Sequence, residues 1–333
     1  MKIIKKIGIY TSGGDSPGMN ACIRAAVLRC IKLNVVPVGI YHGYEGLINA
    51  DFKDLHIEDV KNIGHLGGTI LKTARSKRFL EKKWRQIAFD NCKKAGIDAL
   101  FVIGGDGSFT GAKVFSDEFG MPVVGAPGTI DNDLYGTDFT IGYDTAINTV
   151  VQAIDKIRDT AESPDRVFFI EVMGRDAGLI ALRSAIAGGV EGVLIPETTK
   201  DFPQMMEKLK NYLNHGKGSF ICVVAEGDQS GGAYRVAEKV KKEYPGLETR
   251  VTVLGHIQRG GSPTAMDRIV AVRSGIAAID ALLEGKSNIM IGIVDQKIQY
   301  VPFEKAIKHH ITLKKKTLSW IGYLVQNRVA HII

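Results

Sequence analysis

Long apolar runs are missing from this 333-residue chain: no stretch approaches the ~20 consecutive apolar residues of a membrane-spanning helix. The first apolar run ends after four residues in Thr11-Ser12-Gly13-Gly14-Asp15, too short for a signal-peptide core. Cysteine is scarce and scattered. Cys22, Cys30, Cys92 and Cys222 form no CxxC and no metal-type spacing, the usage of a reducing compartment. No HxxxH or HExxH exists, and His309-His310 reads as a solvated helix face. There is no repeat of ~30–45 residues and no low-complexity segment. The net charge is +7, but Lys and Arg are dispersed, and the densest run, Lys314-Lys315-Lys316, is short. Without an RNP-like aromatic pattern, zinc-finger spacing or basic heptads, nucleic acid is not an expected partner. The expectation is a cytoplasmic protein, off the membrane, that binds small anionic ligands.

Glycine is in excess: 38 of 333 residues, against ~7% in average usage. It clusters at the ends of short β-branched runs, where tight turns can approach phosphate groups. Those runs include Ile7–Tyr10, Val35–Tyr41, Ala99–Ile103, Pro122–Gly125, Val167–Val172, Gly192–Ile195, Phe220–Ala225, Arg250–Leu254 and Ile289–Val294. Helical stretches such as Gly18–Leu33, Phe79–Ala95, Thr145–Thr160, Asp201–His215 and Thr264–Glu284 lie between them. In Thr145–Thr160, Ile147, Val150, Val151, Ile154 and Ile157 recur at helical spacing. Strand–helix alternation of this kind predicts an α/β fold, a parallel sheet covered by helices on both faces. Ligands of such sheets bind outside the carboxyl ends of the strands, so the three glycine clusters should converge there.

In the first cluster, Gly13 and Gly18 have P-loop spacing, but Met19 stands where the lysine must be, and that reading fails. A glycine turn facing phosphate and a plain β–α turn both remain open. The second, Gly104-Gly105-Asp106-Gly107-Ser108, could admit phosphates while its carboxylate holds Mg²⁺; Gly105, Gly107 and Gly111 also nearly match a dinucleotide fingerprint. The third, Pro127-Gly128-Thr129-Ile130-Asp131-Asn132-Asp133, carries two carboxylates two residues apart. One could accept a hydroxyl proton, although Asx turns favour the same residues. Arg75, Arg175 and Arg259 lie in loops close to glycine. Each alone reads as a surface ion pair, and together they suit phosphoryl transfer.

Taken in order, Thr11–Asp15, Ile103–Ser108, Pro127–Asp133, Met173-Gly174-Arg175 and Leu254–Pro263 resemble the 6-phosphofructokinase family in its bacterial, single-unit, ATP-dependent form. The resemblance runs from about Lys6 to Val301. It implies two Rossmann-like three-layer domains with mainly parallel sheets, the phosphofructokinase fold. Residues 1–141 plus 254–304 would bind ATP, and residues 142–253 plus 305–333 fructose 6-phosphate. It implies transfer of the ATP γ-phosphoryl group to the sugar's C1 hydroxyl, with Asp131 as general base, supported by Asp133. Gly14, Arg75, Ser76, Gly105, Asp106, Gly107 and Ser108 would hold ATP, with Mg²⁺ on Asp106. Thr129, Met173, Gly174, Arg175 and Glu226 would line the sugar site, with His256 and Arg259 near its 6-phosphate. Arg166 and Arg250 match positions that the family contributes from a neighbouring subunit, which implies a homotetramer.

Pyrophosphate-dependent relatives resemble this chain but carry Asp at the place of Gly107 and Lys at the place of Gly128, so both glycines point to ATP. Lys72 stands where many relatives have glycine and is expected to be solvated. Arg24, Arg158, Glu191 and Lys217 match the family's effector site, whereas Leu28, Ile57 and His215 replace basic residues there, so altered effector control is expected. A pyrophosphate-dependent enzyme, a weakly active regulatory paralogue and a dinucleotide oxidoreductase are the alternatives.

Overall fold

The computed structural model describes residues 3–160, 166–198, 201–215 and 220–308. The expectations for Lys217, for His309-His310 and for the lysine run at 314–316 lie outside the described residues. The chain divides into two compact units. Among the described residues, one takes 3–130, 134–145 and 259–308, and the other 131–133 and most of 146–258.

The first unit is built on seven strands: β1 (Lys6–Thr11), β2 (Val36–Ile40), β3 (Phe52–Asp54), β4 (Ala99–Gly104) and β5 (Val123–Pro127), then, late in the chain, Ile289–Val294 and Lys297–Pro302. The second unit contributes β6 (Arg166–Val172), β7 (Gly192–Leu194), β8 (Phe220–Ala225) and β9 (Glu248–Val253), so the two late strands are β10 and β11. The sheet orders are β11-β10-β5-β4-β1-β2-β3 and β7-β8-β6-β9. Every pairing is parallel except β2 with β3 and β10 with β11, the two edges of the larger sheet. Parallel neighbours need helical crossovers, which is why both faces are covered.

Strand alternation divides the core of the larger sheet in two. Ile7 and Ile9 of β1, Ala99, Phe101 and Ile103 of β4, and Ile291 and Ile293 of β10 pack with the helices Met19–Lys32 and Ala265–Leu283. Tyr10, Leu100, Val102 and Met290, one residue out of phase, face the opposite core, with Phe109 and Phe115 of the helix Asp106–Phe119. In the smaller sheet Phe169, Cys222 and Val224 join Val236 and Val240 of the helix Gly232–Glu243. All four cysteines are buried and unbridged. Among the described residues no helix is long and apolar enough to cross a membrane.

Candidate functional site

Within the first unit, the loops after β5, β4 and β1 leave three adjacent strands at their carboxyl ends. The Ser12 N–H donates to the Ile103 carbonyl at 3.0 Å, and the Gly128 N–H to the Gly104 carbonyl at 2.9 Å, so the three glycine clusters are stitched into one rim. The first loop enters the helix Met19–Lys32 and the second enters Asp106–Phe119. Both loops thus lead into a helix start, the end whose first N–H groups lack a partner within the helix.

The rim's glycines have separate causes. Gly13 and Gly18 have φ of 87° and 104°, left-handed values a side chain would strain. A Cβ on Gly128 would lie 2.9 Å from Ile103 and 3.0 Å from the Met19 methyl group, so packing alone requires glycine there. Met19, standing where a P-loop lysine would be, is fully buried. Gly107 is different. Nothing stands within 4 Å of where its Cβ would be, and the residue is exposed. Half-buried Asp106 precedes it, in the first turn of its helix, and Ser108 follows, buried.

A second wall is tied to this rim. The Asn20 amide donates to the Leu66 and Gly67 carbonyls at 3.2 and 3.1 Å, and its oxygen accepts from the Ile70 N–H at 2.8 Å. The Thr11 hydroxyl donates to the Lys72 carbonyl at 2.8 Å. Exposed Arg75 continues from this loop. Lys72 is exposed with φ 57°, a backbone setting that favours glycine. The Ser76 hydroxyl is engaged locally: it accepts from the Phe79 N–H at 3.1 Å and bonds the Glu45 carboxylate. Glu45 is held below its ordinary pKa, chiefly by Arg78. Arg259 also reaches this wall. Its Nη1 donates to the Asp15 carbonyl at 3.2 Å, and a Cβ on Gly14 would meet it at 2.6 Å.

In the second unit, Asp131 is 2% exposed and its carboxylate faces the Arg175 guanidinium at 3.4 Å. Arg175 sits in the Met173–Arg175 loop after β6, at φ 52°. That conformation is fixed from beneath: Glu226, just past β8, accepts the Arg175 and Gly174 N–H groups at 2.8 and 3.2 Å. The Gln258 side-chain oxygen accepts from the Met173 N–H at 3.3 Å. Met173, Gly174, Arg175 and Glu226 are therefore one cluster with Asp131. Asp133 is half-buried nearby in sequence, and Thr129 belongs to the first unit, where its carbonyl accepts from the Thr140 hydroxyl at 2.6 Å. His256 is exposed. The unit boundary falls between Gln258 and Arg259, so His256 and Arg259 belong to different units.

Arg166 and Arg250 share one carboxylate. Arg166 Nε donates to Glu248 at 2.8 Å, and Arg250 pairs with its other oxygen. Arg166 first, then Arg250, holds Glu248 below the usual carboxylate range. Of the expected effector residues, Arg24 is exposed, Arg158 donates to the Gly189 carbonyl at 3.1 Å, and Glu191 accepts from the Ile221 N–H at 2.9 Å. Leu28, within the helix Met19–Lys32, packs against the core, and Ile57 is half exposed.

Two structural participants have no role in the sequence reading. Fully buried Asp267 accepts from the Gly142 N–H at 2.9 Å, the Thr145 N–H at 2.7 Å and the Thr145 hydroxyl at 2.5 Å, and burial raises its pKa. Its only sequence signal is a carboxylate three residues after an N-cap threonine, Thr264. Tyr44, stacked on Phe79 with ring centroids 4.1 Å apart, donates its hydroxyl to the Ser108 carbonyl beneath the second loop.

Comparison with known proteins follows the same lines. The family described as Phosphofructokinase matches residues 6–282. The chain is 57% identical over 315 residues to ATP-dependent 6-phosphofructokinase 2 of Bacteroides thetaiotaomicron, covering 95% of this chain and 97% of that protein. It is 52% identical to ATP-dependent 6-phosphofructokinase 1 of Thermus thermophilus, at 95% and 98% coverage. Among solved structures, Pichia pastoris phosphofructokinase in the T-state superposes with a TM-score of 0.86 at 36% identity. The match covers 98% of this chain but spans only 37% of the yeast chain. A pyrophosphate-dependent phosphofructokinase from Marinobacter aquaeolei shares the fold at TM-score 0.81 and 24% identity, with 97% and 92% covered.

Proposed function

The chain belongs to the phosphofructokinase family, and from that premise we infer the reaction it performs and the residues that perform it. It is an ATP-dependent 6-phosphofructokinase. It transfers the γ-phosphoryl group of ATP to the C1 hydroxyl of fructose 6-phosphate, giving fructose 1,6-bisphosphate and ADP in glycolysis.

Asp131 takes the C1 hydroxyl proton as the oxygen attacks. Its near-complete burial keeps water from competing for the carboxylate. Arg175, beside it, offsets the negative charge of the phosphoryl group in flight, and Glu226 fixes the backbone from which the guanidinium projects. Thr129, Asp133, Met173 and Gly174 shape the acceptor side. Arg166, Arg250 and His256, with Arg259, serve the sugar's 6-phosphate, the first two reaching a neighbouring subunit of a homotetramer.

Gly14, Arg75, Ser76, Gly105, Asp106, Gly107 and Ser108 form the donor side, where helix-start N–H groups receive the phosphates. The first unit is therefore the ATP-binding domain and the second the sugar-phosphate-binding domain. The residues fit Mg²⁺ held jointly by protein and nucleotide. Among the described residues no cluster of three or more metal-ligating side chains exists, but Asp106 lies beside the open space at Gly107. Mg²⁺ bound there would neutralise phosphate charge. A cytoplasmic location belongs to the same proposal.

The observation that supports the choice of donor is the empty space in front of Gly107: the fold does not require glycine there, and the bare position leaves room for a nucleotide phosphate. A coupled assay of fructose 1,6-bisphosphate formation, with ATP and pyrophosphate compared under Mg²⁺, tests it. Turnover with ATP alone is expected, and turnover with pyrophosphate alone would reverse the donor assignment.

A further inference from the structure

The loop that carries Arg75 hangs between two anchors, both in the first unit. At its start the Thr11 hydroxyl, at the end of β1, holds the Lys72 carbonyl and bonds the Thr69 hydroxyl at 3.0 Å. At its end the turn Arg78–Leu80 is fixed by Arg85, whose Nη1 donates to the Phe79 and Leu80 carbonyls, each at 2.8 Å. Glu118 in turn grips Arg85 with both oxygens, at 2.6 and 2.7 Å. Between the anchors, Thr73, Ala74 and Arg75 make no hydrogen bond among the described residues. The course of that span is therefore set from Ser76, the residue that follows it.

A second set of contacts converges on Ser76. Its hydroxyl accepts from the Phe79 N–H and bonds the Glu45 carboxylate, and Glu45 is paired with Arg78. The Arg78 guanidinium also donates to the Asn49 side-chain oxygen at 3.1 Å and lies 4.8 Å over the Trp84 ring. Glu45 and Asn49 are four residues apart in the helix Tyr44–Asn49, so one arginine spans a face of it. That helix begins with Tyr44, whose hydroxyl donates to the Ser108 carbonyl in the second glycine cluster and whose ring stacks on Phe79. The short helix is a strut between the glycine rim and the Arg75 loop.

We propose that Glu45 and Arg78 are positioning residues for the donor phosphates: they lock Ser76, and Ser76 sets where Arg75 projects. An exposed arginine on an unbonded span must lose both backbone and side-chain freedom when it meets phosphate. With the turn fixed beforehand, only the side chain remains to be ordered. Arg78 has a second effect, since it cancels the Glu45 charge, which would otherwise oppose an anion near Ser76. The inference rests on reading this rim as a nucleotide-phosphate site.

The test is titration of the full-length protein with Mg²⁺ and a non-hydrolysable ATP analogue, beside steady-state kinetics. The proteins compared are the unsubstituted chain, Arg78→Ala, Glu45→Ala, Glu45→Gln and the double alanine variant. The ion pair is partly exposed, so their melting temperatures should be nearly unchanged. Each alanine variant should weaken analogue binding and raise the KM for ATP about threefold to tenfold, with the KM for fructose 6-phosphate within about twofold. Glu45→Gln keeps an oxygen for Ser76 and Arg78, so it should bind at least about half as tightly as the unsubstituted chain. The double variant should be little worse than either single one, because both act through one turn. Losses under threefold in the alanine variants overturn the inference, as does an equal rise in the KM for fructose 6-phosphate. So do a Glu45→Gln variant as weak as Glu45→Ala and multiplied losses in the double variant. If the unsubstituted protein fails to bind the analogue at all, the nucleotide reading beneath the inference falls too.

Discussion

The Arg175 guanidinium lies 3.4 Å from the Asp131 carboxylate, and the two side chains differ widely in exposure, 56% against 2%. The cation is largely solvent-exposed and the base is buried. A carboxylate in this position can take a proton from a substrate hydroxyl, while the cation remains free to meet phosphate oxygens. Because Arg175 is more than half exposed, its pairing with Asp131 contributes little to folding. Arg175→Ala should therefore leave the melting temperature within about 1 °C, the scale of surface substitutions in a chain this long. It should lower kcat by ~10²–10³, as loss of a preorganised charge donor does. Steady-state kinetics beside a thermal melt checks both.

Gly107 separates donor recognition from folding. Its Cβ position is empty and lies in the first turn of a helix, where a carboxylate is favourable by about 0.3–1 kcal/mol. Gly107→Asp should fold with equal or slightly higher stability. Its kcat/KM for ATP should nevertheless fall by at least ~10², since a carboxylate would face phosphate oxygens. Gly128→Lys is predicted to behave differently, losing stability as well, because Ile103 and Met19 fill the space. Chemical denaturation of the two variants distinguishes the cases.

Asp267 holds three buried donors, and its pKa is raised, chiefly by burial and in part by the charge of Asp144. A carboxyl group with a raised native pKa binds more protons folded than unfolded. Its contribution to stability is thus complete below the unfolded value and declines as pH rises through the native one. The stability difference between the unsubstituted protein and Asp267→Asn should shrink as pH rises from the ordinary carboxylate range through the raised native value. A difference independent of pH would mean that the carboxyl is not shifted. At neutral pH the Asn variant should still be less stable by about 1–3 kcal/mol, because its NH₂ cannot accept from Thr145.

Ser274 is fully buried in the helix Ala265–Leu283, and its hydroxyl has no hydrogen-bond partner among the described residues. Ser274→Ala removes that unpaired group and improves helix propensity. A gain of about 1 kcal/mol, or ~2–4 °C in Tm, is expected. Differential scanning calorimetry reads it directly.

The parallel strands were legible because burial on both faces leaves unbroken β-branched runs: Ala99–Ile103 and Ile289–Val294 agree with β4 and β10 to within a residue. The antiparallel edges were not. Phe52-Lys53-Asp54 is too short to show a period, and Lys297–Pro302 is mostly exposed, so neither carries an apolar run. The helix Asp106–Phe119 was hidden by Gly107 and Gly111, which weaken a helical pattern. Gly111 is explained only in three dimensions, by the Tyr44 ring that a Cβ would meet at 2.9 Å. In the site, motif order made Asp131 and Arg175 nameable, but not that they adjoin. The partition of His256 and Arg259 between units likewise comes from packing, since a single motif contains both.

The central claim is that Asp131 is the proton acceptor in phosphoryl transfer from ATP. Its most direct test is Asp131→Asn, with kcat measured under saturating Mg·ATP and fructose 6-phosphate binding measured separately. The account predicts a fall in kcat of ~10²–10⁴ with sugar-phosphate affinity largely retained. An unchanged kcat, with the loss confined to KM, would contradict it.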